Sequence, residues 1–156
     1  MKSHAKVVVV GGGCVGASIL YGLTEHGCSD AVMLERTTLT SGSTWHAAGL
    51  LVTFVRSHNV SKMTLETIRI YSEVEEKLGS SVGLRKVGQL RVANTDERWD
   101  EFQSYLSVAE AAGVPCRLLT PKEIAEIHPL LNQSEHIRGG ILHSEDGYVN
   151  PADITM

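Results

Sequence analysis

The sequence predicts an α/β fold, a parallel β-α-β layer followed by the start of a β-rich portion, and three observations carry that prediction. Lys6 to Val10 is a β-branched run that ends on Gly11-Gly12-Gly13. Val15, Ile19, Leu20 and Leu23 then keep helical spacing as far as Gly27. Ala31 to Leu34 is a second short apolar run, closed by Glu35. Two continuous apolar strands joined by a helical crossover occur almost only where both faces of a sheet are covered, so this end of the chain reads as an incomplete Rossmann-like layer.

Residues 37–49 (TTLTSGSTWHAAG) hold Ser, Thr, Gly and Ala with almost no charge, an odd make-up for a solvated loop, so something is expected to lie against them. Met63, Ile68, Tyr71, Val74 and Leu78 mark one face of a helix that stops at Gly79, with Glu66, Glu73 and Glu76 mainly on the other side. Gly88 to Ala93 alternates like a half-buried strand, and Trp99, Phe102, Leu106 and Ala109 follow at helical spacing up to Gly113. Thr120, Pro121 and Glu123 supply an N-cap, a Pro at the first helical position and a capping-box acid for a short helix to about His128. Ile137 to His143 is another strand candidate. Asn150, Pro151 and Asp153 repeat the helix-start pattern, and the helix they open would have less than two turns by Met156. The chain therefore reads as the N-terminal part of a longer protein.

Composition narrows the function. The 156 residues are 42% hydrophobic and 21% charged, as expected of globular material with a core. Fourteen Lys+Arg against eighteen Asp+Glu leave a net charge of −4, which offers phosphate backbones or anionic lipid no basic face, so no nucleic acid is expected as a partner. The longest apolar run after the start, Ala47 to Val55, is broken by Gly49 and Thr53 and falls far short of the ~20 residues a bilayer needs, so no membrane span is expected. The first ten residues lack the apolar core of a secretory signal. Cys14, Cys28 and Cys116 are odd in number, widely spaced and without C-x-x-C, which suits reduced thiols and a cytoplasmic setting. His4, His26, His58, His128, His136 and His143 have no metal-ligand spacing; no metal is expected, and each reads as solvated or locally hydrogen-bonded.

Gly11-x-Gly13-x-x-Gly16 sits between the first strand and helix, and Glu35 lies nineteen residues beyond Gly16 at the end of the next strand. That spacing has a mechanism. Gly11 permits the tight turn, Gly13 lets backbone N–H groups approach a pyrophosphate at the helix N-terminus, Gly16 allows close packing on the strand, and the Glu35 carboxylate accepts from a ribose hydroxyl. Arg36 beside Glu35 raises NADP, but a carboxylate at the ribose would repel the extra phosphate. The motif alone leaves an NAD-dependent dehydrogenase open. His46, on its residues alone, reads as a structural histidine satisfied by the Ser43 or Thr44 hydroxyl. Cys14 reads as a small residue packed in the glycine loop, Trp45 as packing, and Asp146 with Tyr148 as a turn.

The stretches VVVVGGGCVGASILYGL, LERTTLTSGSTWHAAGLL, PLLN and DGYVNPADIT resemble the FAD-dependent amine oxidoreductases of the D-amino acid oxidase superfamily, and more closely their dimethylglycine and sarcosine dehydrogenase branch. The resemblance covers nearly the whole chain, with Thr40 to Leu50 as its most specific part. It implies oxidative N-demethylation of a methylated amine such as dimethylglycine or sarcosine, with the one-carbon unit released or passed to tetrahydrofolate in a C-terminal domain absent here. It implies that Gly11, Gly13, Gly16, Glu35, Ser43 and Thr44 hold FAD. It also implies that His46 tethers FAD covalently through the flavin 8α-methyl carbon, with Ala47, Ala48 and Gly49 letting the ring system come close. None of these residues abstracts a proton, and the catalytic residues are unknown at this stage. The expected organisation is an FAD-binding β-α-β unit with following helices over 1–80, the start of a substrate-binding portion over 81–145, and a return to the FAD-binding domain over 146–156. A non-catalytic regulatory protein on the same fold is the alternative from another class.

Overall fold

In the computed structural model, which describes residues 3–131 and 136–156, β1 (Val7–Val10) and β2 (Ala31–Leu34) pair in parallel, Val7 opposite Ala31 and Val10 opposite Leu34. The crossover between them is α1 (Cys14–Glu25). Gly11 leaves β1 at φ +107 while its N–H still donates to the Leu34 carbonyl at 2.8 Å, so the glycine turn begins before the ladder has ended. The chain divides into two compact units. The first runs to Gly49 and takes in Ser81–Gly83 and Val149–Met156; the second comprises Leu50–Ser80 and Leu84–Tyr148.

In the first unit the apolar strands are not covered on both faces. Val9 is buried but Val10 is 82% exposed, because among the described residues the sheet has two strands and β1 keeps one open edge. The segment after Asn150 forms hydrogen-bonded turns in place of the expected helix. The Asn150 side-chain oxygen accepts from the Ala152 and Asp153 N–H groups at 3.0 and 3.4 Å as the expected N-cap, and the Ile154 and Met156 N–H groups reach back four residues at 3.1 and 3.2 Å, but so short a stretch lacks the consecutive bonds of a helix.

The second unit holds β3 (Leu50–Leu51), α2 (His58–Leu78), β4 (Gln89–Ala93), α3 (Asp96–Ala112), β5 (Cys116–Leu119), α4 (Pro121–Ile127), β6 (Gly139–His143) and β7 (Gly147–Tyr148). β6 is the centre of an antiparallel β4-β6-β5 sheet, and β3 pairs antiparallel with β7. Ser57, Thr95 and Thr120 each cap a helix by accepting from the N–H three residues on, and Glu123 completes a capping box with Thr120. Gly79 and Gly113 end α2 and α3 in the left-handed region, at φ 62 and 72. Helix α2 starts at His58, five residues ahead of the apolar face, because its Ser57 cap precedes that face. The core forms where Phe102, Tyr105, Ala109 and Ala112 of α3 pack on Ala93 and Ile141 of the sheet.

Candidate functional site

Helix α1 begins at a glycine N-cap with no side chain to satisfy its first N–H groups. The loop after β2 supplies the missing acceptor: Thr44, buried, takes the Cys14 N–H on its Oγ1 at 3.0 Å. The Val15 and Gly16 N–H groups of the first turn remain directed out of the positive helix end, where an anion is favoured. A Cβ on Gly16 would lie 1.9 Å from the Gly11 carbonyl oxygen, so only glycine lets helix and strand approach this closely. A Cβ on Gly11 would meet nothing within 4 Å, and one on Gly13 only the Thr44 hydroxyl at 3.0 Å, so the loop is open on its outer side. An open cleft of about 570 Å³ borders β1 and this loop, and Gly11, Gly13, Gly16, Ser43 and Thr44 all line it. Cys14 lines it too and is exposed rather than packed away.

Glu35 is fastened to the same loop from the other strand. Its Oε2 accepts the Gly12 N–H at 2.7 Å, and its Oε1 accepts the N–H and the hydroxyl of Thr37 at 2.9 and 3.0 Å. The Gly12 bond first, then those of Thr37, hold its pKa down to about 2, so the group is ionised and acceptor-only at neutral pH. The Arg36 N–H adds a weaker pull in the same direction.

The loop itself is strained. Thr40, β-branched, sits at φ 66 and is buried, its N–H donating to the Gly12 carbonyl at 2.9 Å and its carbonyl accepting from the Trp45 N–H at 3.3 Å. Thr44–His46 is a 3₁₀ turn. His46 does not line the cleft; its Nδ1 lies 3.1 Å from the Gly42 carbonyl oxygen, and its ring touches Trp45. The expected Ser43 or Thr44 hydroxyl partner is thus replaced by a backbone carbonyl, because Thr44 is already spent on α1. Gly49 has a local reason to be glycine. At φ 70, its missing Cβ faces the Val149 carbonyl oxygen at 2.1 Å and Pro151 at 3.2 Å, so the chain's own crossing already demands glycine there.

The second unit carries a buried polar cluster. Asp146, fully buried, is no solvated turn residue: its carboxylate accepts the Thr53 N–H at 3.0 and 3.1 Å and the Thr53 hydroxyl, while Tyr105 donates to the Thr53 carbonyl at 2.9 Å. His143 is likewise fully buried, against the expectation of a solvated or bonded ring, and neither ring nitrogen has a partner. Burial first, and then the Arg91 charge, push its pKa down to about 4. The sign follows: an unfolded His binds its proton near 6.5 and the folded one near 4, so stability should fall as pH drops between these values. A His143→Phe variant, melted across that range, should lose this part of the slope. Among the described residues no cluster of His, Cys, Asp and Glu is arranged to hold a metal ion, and no helix is long and apolar enough to cross a membrane.

Gly11, Gly13, Gly16, Ser43 and Thr44 therefore meet at one cleft, Glu35 joins them through Gly12, and His46 stands apart on its own turn. Gly12, Thr37 and Thr40 were not legible as site residues. Only Gly12 left a trace in the sequence, as the middle glycine of the run.

A glycine turn opening on a helix end, with an ionised carboxylate closing the next parallel strand, defines an α/β protein of the dinucleotide-binding class. The chain belongs to the FAD dependent oxidoreductase (DAO) family, whose pattern it matches over residues 6–156, and the NAD reading is set aside. It is 39% identical over 155 residues to the mitochondrial dimethylglycine dehydrogenase of Rattus norvegicus, covering 99% of this chain and 18% of that protein. It is 39% identical over 153 residues to the mitochondrial sarcosine dehydrogenase of Homo sapiens, covering 97% of this chain and 17% of that one. Among solved structures, L-proline dehydrogenase from P. horikoshii superposes with a TM-score of 0.88 at 25% identity, over 99% of this chain and 40% of its own. The chain thus spans less than a fifth of either of these two dehydrogenases.

Proposed function

We propose that this chain is the FAD-binding portion of an oxidoreductase that demethylates an N-methylated amine such as dimethylglycine or sarcosine. The observation that carries the cofactor is the open glycine cradle, with the ionised Glu35 carboxylate fastened to Gly12; the substrate class follows from the two dehydrogenases to which the chain is similar. Gly11, Gly13 and Gly16 let the backbone approach a pyrophosphate at the start of α1. Ser43 and Thr44 form the near wall of the cleft, Thr44 by fixing the α1 N-terminus. Glu35 accepts from a ribose hydroxyl and repels a 2′-phosphate.

Nδ1 of His46 donates to the Gly42 carbonyl, which leaves Nε2 as the nitrogen with a free lone pair and therefore the atom that carries the tether. FAD, when bound, supplies the two-electron acceptor for the amine C–H bond. The one-carbon unit leaves by hydrolysis or passes to tetrahydrofolate held outside this chain. The three free cysteines fit a reducing, cytoplasmic compartment in this reading.

The test is a visible spectrum of the protein before and after acid precipitation. A yellow protein whose flavin stays with the precipitate is expected. A yellow supernatant over a colourless pellet would remove the tether, and a protein colourless throughout would remove FAD. Glu35→Ala, made on a His46→Ala background so that binding is reversible, should weaken FAD reconstitution about tenfold or more, since the site loses both its ribose acceptor and the Gly12 anchor. Unchanged affinity would place the ribose elsewhere.

A further inference from the structure

We propose that Trp45 is a positioning residue that holds the His46 imidazole in place for formation of the flavin link, an inference that rests on the tether reading above. Neighbouring side chains on a tight turn ordinarily diverge, yet the Trp45 and His46 ring centroids are 4.1 Å apart with their planes tilted by 41°. The indole covers one face of the imidazole while the Gly42 carbonyl, 3.1 Å from Nδ1, holds its edge. With Nδ1 committed as donor to the Gly42 carbonyl, the lone pair of the neutral ring lies on Nε2.

The turn bearing both rings is in turn fastened to the cradle. The Trp45 N–H reaches the Thr40 carbonyl, the Thr40 N–H reaches the Gly12 carbonyl, and the Thr44 hydroxyl caps α1 through the Cys14 N–H. The backbone that carries the His46 turn is thereby fixed relative to the glycine loop. Core packing does not account for Trp45, because the residue is 59% exposed and the burial of its indole contributes little to the fold.

In the linking step a bond forms between Nε2 and the 8α carbon. The methyl C–H bond breaks, and the methyl proton and the Nδ1 proton are released to solvent, from which the ring draws its two protons. The released electron pair, with two protons, reduces the flavin ring, and a two-electron acceptor of the dioxygen class reoxidises it. Misplacing the nucleophile by about 1 Å costs on the order of a hundredfold in such a step.

The experiment follows acid-stable flavin on the polypeptide after apo-protein is mixed with FAD, for wild type, Trp45→Ala, Trp45→Leu and Trp45→Phe. Trp45→Ala and Trp45→Leu should slow incorporation about ten- to hundredfold while reversible FAD uptake and far-UV circular dichroism stay at wild-type level. Trp45→Phe should recover most of the rate, because it restores an aromatic face. Ring ¹⁵N spectra of His46 in the apo-protein should show the Nδ1–H tautomer in wild type and a mixture in Trp45→Ala. Wild-type incorporation rates in both Trp45→Ala and Trp45→Leu would overturn the positioning role and leave the tether standing. A wild-type protein with no acid-stable flavin would overturn both together.

Discussion

Gly16→Ala should cost the protein at least about a hundredfold in FAD affinity, a loss of about 2.7 kcal/mol. The added methyl would lie 1.9 Å from the Gly11 oxygen and 3.1 Å from its carbonyl carbon. Both are backbone atoms, and Gly11 is tethered to Leu34 at 2.8 Å, so neither side yields without moving the cradle. Overpacking of this kind typically costs 1–3 kcal/mol of stability, and here the displaced atoms belong to the loop proposed to hold the pyrophosphate. The control is on the same helix. A Cβ on Gly22 meets nothing within 4 Å, so Gly22→Ala should leave FAD binding intact and raise stability by about 0.5–1 kcal/mol. Reconstitution titrations and thermal melts of the two variants check the pair; a Gly16→Ala protein that binds FAD like wild type would refute the cradle.

Asp146→Ala should destabilise the second unit by about 2–5 kcal/mol, as much as truncating a buried core side chain. Removing the carboxylate leaves the Thr53 N–H and hydroxyl buried without an acceptor, ninety-three residues away along the chain. Thr53→Val keeps the backbone bond and loses only the hydroxyl, so it should cost about 1 kcal/mol. Urea unfolding at fixed pH measures both. Equal effects for the two substitutions would show that the backbone bond contributes nothing.

The β-α-β start of the first unit was legible in the sequence because its signals are local: a β-branched run, a glycine turn, helical spacing and an acid nineteen residues on. The helix caps at Thr120 and Gly79 were legible for the same reason. Residues whose partners lie far along the chain were not. Thr44 spends its hydroxyl on Cys14 thirty residues away, Gly49 is glycine because Val149 crosses it, and Asp146 is buried by Thr53. No spacing rule reaches across such distances, and each of the three carried a different expectation. His143 was misjudged because a buried imidazole without partners leaves no mark in composition or period.

The low pKa of Glu35 bears on how the cofactor is to be removed in practice. If Glu35 holds the ribose as proposed, a carboxylate that stays charged down to about pH 2 would keep accepting from it throughout mildly acidic buffers, so lowering the pH to 4 should not by itself strip the nucleotide. The stability this group contributes is complete above the ordinary carboxylate range and drains away only as the pH falls from about 4.5 toward 2. Apo-protein for the reconstitution assays is therefore better prepared from a variant without the tether, with a chaotropic salt near neutral pH, than by acid dialysis.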